Sequence, residues 1–177
     1  MNPKLISTLD ALNQARADFI KQIEEVPREL RSKHPAEGWN MLQVMEHLIS
    51  SEVGTLEYMK KKTQARADEI PVAGEESTAG SEQLKRALQS EKKWKMPGVL
   101  PDPTGAQSFE NMQAYWDGLR EKYRAFLEDL SADYHDRAIF KHPISGRMNL
   151  EQTIEFLVDH LVHHGYQLKR IKSEVGE

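Results

Sequence analysis

Four segments of this chain carry apolar residues in steps of three and four, a spacing that limits the fold more than any other feature. Such spacing places the apolar side chains along one stripe of an α-helix. The first segment stops at Pro27, whereas the second and fourth open with Asn40 and Gln43 and with Asn149 and Gln152, pairs typical of a capping box. The apolar positions are Leu5, Leu9, Leu12, Ala15, Phe19, Ile23 and Val26; Met41, Val44, Met45, Leu48, Ile49, Leu56 and Met59; Phe109, Met112, Trp116, Leu119, Tyr123, Phe126 and Leu130; and Leu150, Ile154, Leu157, Leu161, Leu168 and Ile171.

Residues 66–107 interrupt this pattern, because they hold four of the chain's eight prolines and a large polar stretch. Within them, a shorter helical stretch is predicted from Ser81 to about Trp94. No segment alternates with a period of two over a useful length, so no strand is predicted. Four amphipathic helices bury their stripes most simply against one another. The sequence therefore predicts an all-α, up-down four-helix bundle in one domain, residues 1–177, with a long insertion between the second and third long helices.

Composition excludes several classes of function. The chain has no cysteine, which rules out disulfides, thiolate metal sites and cysteine nucleophiles. Its net charge is -4, and its one run of lysines, Lys60 to Lys62, is expected to be a solvated helix end, so no nucleic-acid partner is predicted. No signal peptide and no apolar run near the roughly 18 residues of a membrane span is present, which predicts a cytoplasmic protein without a membrane partner.

Histidines are the strongest candidates for chemistry. His160 and His164 lie four apart on the last helix, so their rings stand on one face and are close enough to share a metal ion. At about 100° per residue, His164 falls within the apolar arc and His160 at its edge. His163 points away and is expected to face solvent or a partner. The alternative is that His160 and His164 are buried imidazoles satisfied by other side chains.

A metal site with three protein ligands needs one more donor from a facing helix. His47 is the only other histidine within a long predicted helix. It lies off the centre of the apolar arc, on a stripe with Val44, Ser51, Gly54 and Tyr58. Small and polar neighbours suit a pocket wall and a surface stripe equally, so the pattern by itself leaves the role of His47 open.

Two motifs resemble the DinB/YfiT-like family. The stretch from Gly38 to Leu48, with Trp39 leading into a helix that carries His47, is similar to the family's entry to its second helix. HPISG followed by MNL, from His142 onward, resembles the loop into the last helix, and HLVHHGYQ resembles the family's H-x-x-H-H-x-x-Q signature. One departure is visible, because Tyr166 stands where the family usually has glycine. We expect this change to affect packing rather than ligation.

The resemblance implies that His47, His160 and His164 bind one divalent metal ion. Imidazole ligands suit zinc, nickel, iron(II) or copper, and the sequence does not choose among them. Three ligands leave a position for water or substrate, which is typical of a catalytic site. The resemblance implies a metal-dependent hydrolase first. A low-molecular-weight thiol transferase acting in detoxification, and a non-catalytic, stress-linked metal-binding protein, remain alternatives. It also implies a homodimer and a small-molecule substrate, possibly a thiol.

No general acid or base is predicted. Glu46 is adjacent to His47 but points in another direction and is expected at the surface. Glu52 and Asp159 are interpreted as solvated helix residues. The catalytic residues of any reaction are therefore left unassigned.

Overall fold

The part of the chain that the computed structural model describes, residues 3–90 and 100–176, folds into five α-helices and a two-stranded hairpin. No helix in these ranges is long and apolar enough to cross a bilayer. The four long helices are those predicted from the apolar spacing, which confirms the all-α fold class. In chain order the elements are α1 (Pro3–Glu24), α2 (Met41–Lys62), α3 (Glu75–Leu88), α4 (Phe109–Asp129), β1 (Phe140–His142), β2 (Gly146–Met148) and α5 (Leu150–Val175).

Both predicted capping boxes are present. The Asn40 side chain accepts a hydrogen bond from the Gln43 backbone N–H at 2.9 Å, and the Gln43 side-chain oxygen accepts one from the Asn40 backbone N–H at 3.0 Å. Asn149 and Gln152 repeat the arrangement with the same two distances. Each box satisfies two N–H groups that have no partner inside the helix. The starts of α2 and α5 are therefore set by local sequence.

The long helices share one hydrophobic core. Helix α1 packs along α5, and α2 contacts both α4 and α5. Phe19 of α1 meets the Trp116 ring of α4 edge-on, with ring centroids 5.9 Å apart. This packing turns one side of α2 towards α4 and another towards α5. The largest fully buried side chains are those of Trp116, Tyr123, Phe19, Leu12, Ile23, Met41, Met45, Leu48, Leu56, Met59, Ile70 and Leu127.

Helix α3 begins earlier than predicted. It starts at Glu75, not at Ser81, and ends at Leu88; the predicted continuation to Trp94 enters residues 91–99, outside the described part. Two glutamates in the first turn favour the earlier start, because their negative charge interacts favourably with the positive end of the helix. Gly80 does not stop the helix. A Cβ at this position would collide with the Ser145 carbonyl oxygen, so glycine permits the close approach of α3 to the hairpin.

The hairpin was not predicted, because strands of three residues are too short to show a period of two. Phe140 pairs with Met148 and His142 with Gly146 in an antiparallel register. Nδ1 of His142 accepts the backbone N–H groups of Ile144 and Ser145, each at 3.2 Å, and closes the turn. Helix α3 packs against β2 and α5, so the insertion folds back over the last helix.

The end of the insertion is attached to the first turns of α2. The Gln43 side chain donates to the Pro103 carbonyl at 3.0 Å, and the Gly105 backbone N–H donates to the Glu46 carboxylate at 2.7 Å. Gly105 has a φ of 67°, and a Cβ there would lie 2.9 Å from the Gln43 side chain. Glu46 is half-buried instead of lying at the surface as expected, because the insertion covers it.

Candidate metal centre

The rings of His47, His160 and His164 converge to form what is here named the three-histidine cluster. The His160 Nε2 atom lies 3.3 Å from His47 Nε2 and 3.0 Å from His164 Nε2. One ligand atom from each residue lies within 4.8 Å of the others. Nitrogens bound tetrahedrally to zinc at about 2.0–2.1 Å would be about 3.3 Å apart. The spacing therefore suits a single ion of this size.

Helix geometry and helix packing each place part of the cluster. His160 and His164 are one turn apart on α5, with ring centroids 4.7 Å apart. His47 comes from α2, on the side that packs against α5, and its ring lies 5.2 Å and 5.0 Å from the other two. His47 is 6 % exposed and His164 8 % exposed, while His160 is half-buried. All three residues named from the sequence are thus brought together; their role as ligands stays a prediction.

Burial keeps the cluster neutral. It lowers the pKa of His47 to about 4 and that of His164 to about 3. The pKa of His160 is also held well below its ordinary value, first by burial and then by the neighbouring imidazoles. Neutral imidazole is the form that binds a metal, because a protonated nitrogen has no lone pair to donate. Near pH 7 the cluster is therefore ready to bind a cation.

Gln167 fixes the orientation of one ring. The Gln167 side-chain oxygen lies 2.7 Å from His164 Nδ1, so Nδ1 carries the proton and donates a hydrogen bond to that oxygen. The lone pair of the neutral ring then resides on Nε2, which faces the cluster. His47 Nδ1 is buried without a hydrogen-bond partner among the described residues. The donor set and its burial fit a divalent cation of borderline softness, such as zinc, nickel or iron(II).

Aromatic rings support the cluster from two sides. The Trp39 ring lies against His47, with centroids 5.1 Å apart. The Phe156 ring stacks on His160, with ring centroids 5.4 Å apart and an interplanar angle of 18°. The His142 ring packs edge-on against Phe156, with centroids 4.7 Å apart. These contacts restrict the imidazoles to the observed orientations and limit water around them.

The prediction for His163 was wrong. Its ring does not point to solvent or to a partner, but towards α3, where Nδ1 donates to the Leu88 carbonyl oxygen at 2.6 Å. Leu88 is the last residue of α3, and the last carbonyl groups of a helix accept no hydrogen bond from within it. His163 therefore supplies the hydrogen bond that the Leu88 carbonyl lacks. The apolar spacing shows that His163 lies outside the apolar arc of α5, but it does not show that α3 packs against that side of α5.

No carboxylate joins the three histidines in the one candidate metal group found among the described residues. The interpretation of Glu52 as solvated was wrong: it is 2 % exposed and accepts hydrogen bonds from Trp116 Nε1 at 2.9 Å and Arg120 Nη2 at 2.7 Å. The sequence did carry a signal, because Glu52 lies four residues from Leu48 and Leu56 on the buried face. Asp159 is half-buried rather than solvated, and burial raises the pKa of its carboxyl.

The departure at Tyr166 falls outside the cluster. Tyr166 is 56 % exposed and its ring lies beneath the Lys169 ammonium. Gly165 is buried, and a Cβ there would approach the Gln22 side chain of α1 to 3.2 Å. Gly165 thus lies at the contact between α5 and α1, and Tyr166 lies on the exposed side of α5; the effect of the changed order on packing stays a prediction.

Comparison with known proteins agrees with the resemblance in the two motifs. The chain is 24% identical to the uncharacterized protein YuaE of Bacillus subtilis (strain 168) over 168 residues, which are 94% of this chain and 98% of the relative. No solved structure gives a significant match. The sequence model of the DinB superfamily matches residues 11–168. The chain therefore belongs to the DinB superfamily, whose members often bind a metal ion.

Proposed function

We propose that the protein binds one divalent metal ion through His47, His160 and His164 and is a metal-dependent hydrolase. The observation that carries this proposal is the approach of two neutral imidazole Nε2 atoms, those of His47 and His164, to within 3.3 and 3.0 Å of His160 Nε2, on two helices that begin with capping boxes. Zinc, nickel and iron(II) are the proposed ions. An ion with three protein ligands keeps a position for a water molecule and lowers the pKa of that water.

The chain's own residues would hold and shield such a site. Gln167 keeps the His164 Nε2 lone pair directed at the cluster. Trp39 and Phe156 pack on His47 and His160, so that neither ring can rotate freely. Because these neighbours are aromatic or neutral, they do not offset the charge of a bound cation. An uncompensated cation in a half-buried site favours an anionic or ionisable ligand.

A thiol transferase is the second candidate, and one observation favours it. The only candidate metal group within residues 3–90 and 100–176 contains three histidines and no carboxylate, so no carboxylate within the group itself can take a proton from water. A thiol loses its proton more easily than water and so depends less on a general base, because its pKa is about 8.5 against about 15.7 for water. A low-molecular-weight thiol is then the proposed substrate.

Metal content tests the site itself. The full chain is purified without a histidine tag, and bound metal is measured by elemental mass spectrometry after exposure to zinc, nickel or iron(II). We expect about one ion per chain in the wild type and none in His160→Ala/His164→Ala. His163→Ala is the matched control, since it removes an adjacent imidazole of the same helix that lies outside the cluster. Equal metal content in the double variant and the wild type would overturn the assignment.

Metal binding also predicts a shift in stability. A ligand at about 100 times its dissociation constant adds about 2.7 kcal/mol to the free energy of unfolding. For a chain of this size that raises the melting temperature by roughly 5–11 °C. The double variant, shown to be helical by circular dichroism, is expected to show no such increase. An equal increase in both proteins would place the metal elsewhere.

Activity assays separate the candidate functions. The metal-loaded protein is tested for ester and amide cleavage and, separately, for consumption of a thiol with an electrophile such as a haloalkane. Cleavage that a chelator abolishes and the metal restores supports the hydrolase. Thiol-dependent turnover with the same sensitivity supports the transferase. Stoichiometric metal with neither activity on broad panels would refute both and leave a metal-binding protein.

A further inference from the structure

A second polar site lies between α1 and α4, on helices that do not contribute to the three-histidine cluster. The two helices border a cleft of about 360 Å³. Three arginines line it, Arg16 from α1 and Arg120 and Arg124 from α4, together with Asp117 and Glu121. The burial of Arg120 and the partial burial of Arg16 side by side are unusual, because charged groups are rarely placed where they lose water.

Arg120 is the buried part of this cleft. It is 7 % exposed, and its Nη2 donates to the Glu52 carboxylate at 2.7 Å. The other Glu52 oxygen accepts the Trp116 indole N–H. Arg120 Nε and Nη1 are buried and have no hydrogen-bond partner in the part of the chain that the structure describes. A guanidinium carries five N–H groups, so the Glu52 pair leaves most of its donors unsatisfied.

Arg16 adds donors at the same place. Its side chain is 17% exposed and stands 5.9 Å above the Trp116 ring. Nη1 lies 2.6 Å from an Asp117 oxygen, but this ion pair lacks the direction of a hydrogen bond. Nε is also buried without a partner among the described residues. Arg16 and Arg120 together present four buried nitrogens without a hydrogen bond among the described residues, one of which, Arg16 Nη1, is in an ion pair with Asp117.

The acceptors that line the cleft, Asn13 included, make no hydrogen bond to these four nitrogens. Both Glu52 oxygens are already used. Asp117 and Glu121 are exposed residues, and solvent screens their charge. The deep part of the cleft is therefore rich in donors and poor in acceptors. A buried unsatisfied donor costs free energy, more so when it is charged, so a ligand that supplies acceptors would bind there favourably.

We propose that the cleft between α1 and α4 binds a small-molecule oxyanion through Arg16 and Arg120, with Arg124 at its mouth. The ligand class is a compound with a carboxylate or phosphate group, because several oxygens on one anionic centre match several guanidinium N–H groups. A volume of about 360 Å³ admits a molecule of metabolite size but not a folded segment. The site is independent of the metal proposal.

The test uses the full chain freed of metal, in its His160→Ala/His164→Ala form, so that an anion cannot be held by a metal ion. Inorganic phosphate and succinate are titrated by calorimetry at constant ionic strength. We expect one saturable site for at least one probe. Arg16→Gln should weaken it by about tenfold or more, because a charge-assisted hydrogen bond is lost. Arg28→Gln is the matched control, an exposed arginine outside the cleft that should bind as the parent does.

Arg16→Gln is preferred to a change at Arg120, which would leave Glu52 buried without its cation and risk unfolding. Arg124→Gln provides a second variant at an exposed position and should weaken binding less. No saturable binding, or binding that Arg16→Gln leaves intact, would overturn the proposal. So would a dimer that Arg16→Gln dissociates without any effect of the probes, since a second copy would then fill the cleft.

Discussion

The Glu52 to Arg120 pair permits a quantitative test of the core. Glu52→Gln keeps the size of the side chain and an acceptor for the Trp116 indole, but leaves the Arg120 charge buried without its partner. The two side chains are 2% and 7% exposed, so water replaces little of the lost interaction. Removing one partner of a buried pair costs about 3–5 kcal/mol. For a chain of this size the melting temperature should fall by roughly 6–20 °C.

Urea unfolding of the metal-free protein, followed by circular dichroism, measures this change. Glu57→Gln is the control on the same helix, because Glu57 pairs with Lys60 at the surface and its loss should cost at most about 1 kcal/mol. The double change Glu52→Leu/Arg120→Met should recover most of the loss, since apolar residues of similar size can replace a buried pair. A loss below about 1 kcal/mol in Glu52→Gln, or a double variant no more stable than the single one, would show that the buried pair does not stabilise the core in this way.

Three further predictions concern protonation, packing and capping. In chelator, stability should be greatest above about pH 6.5 and fall as the pH drops towards 4, because burial lowers the pKa of His47 to about 4 and the unfolded chain binds more protons in this range; a flat free energy of unfolding between pH 7 and 5 in urea titrations would contradict this. Gly80→Ala should destabilise by about 1–3 kcal/mol through its collision with the Ser145 carbonyl, whereas Gly118→Ala, whose Cβ meets nothing within 4 Å, should stabilise α4 by about 0.5–1 kcal/mol; thermal melts that show the same sign for both would argue against the contact. Asn149→Ala should cost about 1 kcal/mol by removing the α5 cap, and Asn111→Ala, a residue whose side chain caps no helix, serves as its control in the same melts.

Local sequence sufficed for the long helices. Apolar residues three and four apart fix the buried face of a helix. The capping boxes that begin at Asn40 and Asn149 fix the first residues of α2 and α5 through hydrogen bonds between residues three apart. The earlier start of α3 and the hairpin were missed because their signals are weak over so few residues. Gly80 lies within α3, and only its contact with the Ser145 carbonyl shows why glycine is needed there.

The candidate site was predictable to a different extent for each residue. His160 and His164 are one turn apart on one helix, so the sequence fixes their separation. The position of His163 outside the apolar arc kept it out of the predicted ligand set, but gave no sign that α3 lies against it. His47 remained ambiguous from its stripe, and only the resemblance to DinB/YfiT-like proteins joined it to the other two. The four nitrogens of the arginine cleft had no sequence signal.

The four long helices, their buried faces and the pairing of His160 with His164 could be predicted from the sequence, because they depend on atoms within a few residues of one another. The tertiary structure decided that His47 of α2 lies 3.3 Å from His160, that Glu52 meets Arg120, and that α1 and α4 leave a cleft between them. Such distances join residues tens of positions apart. They depend on how all the helices pack together in one core, which the spacing of residues within a single helix does not show.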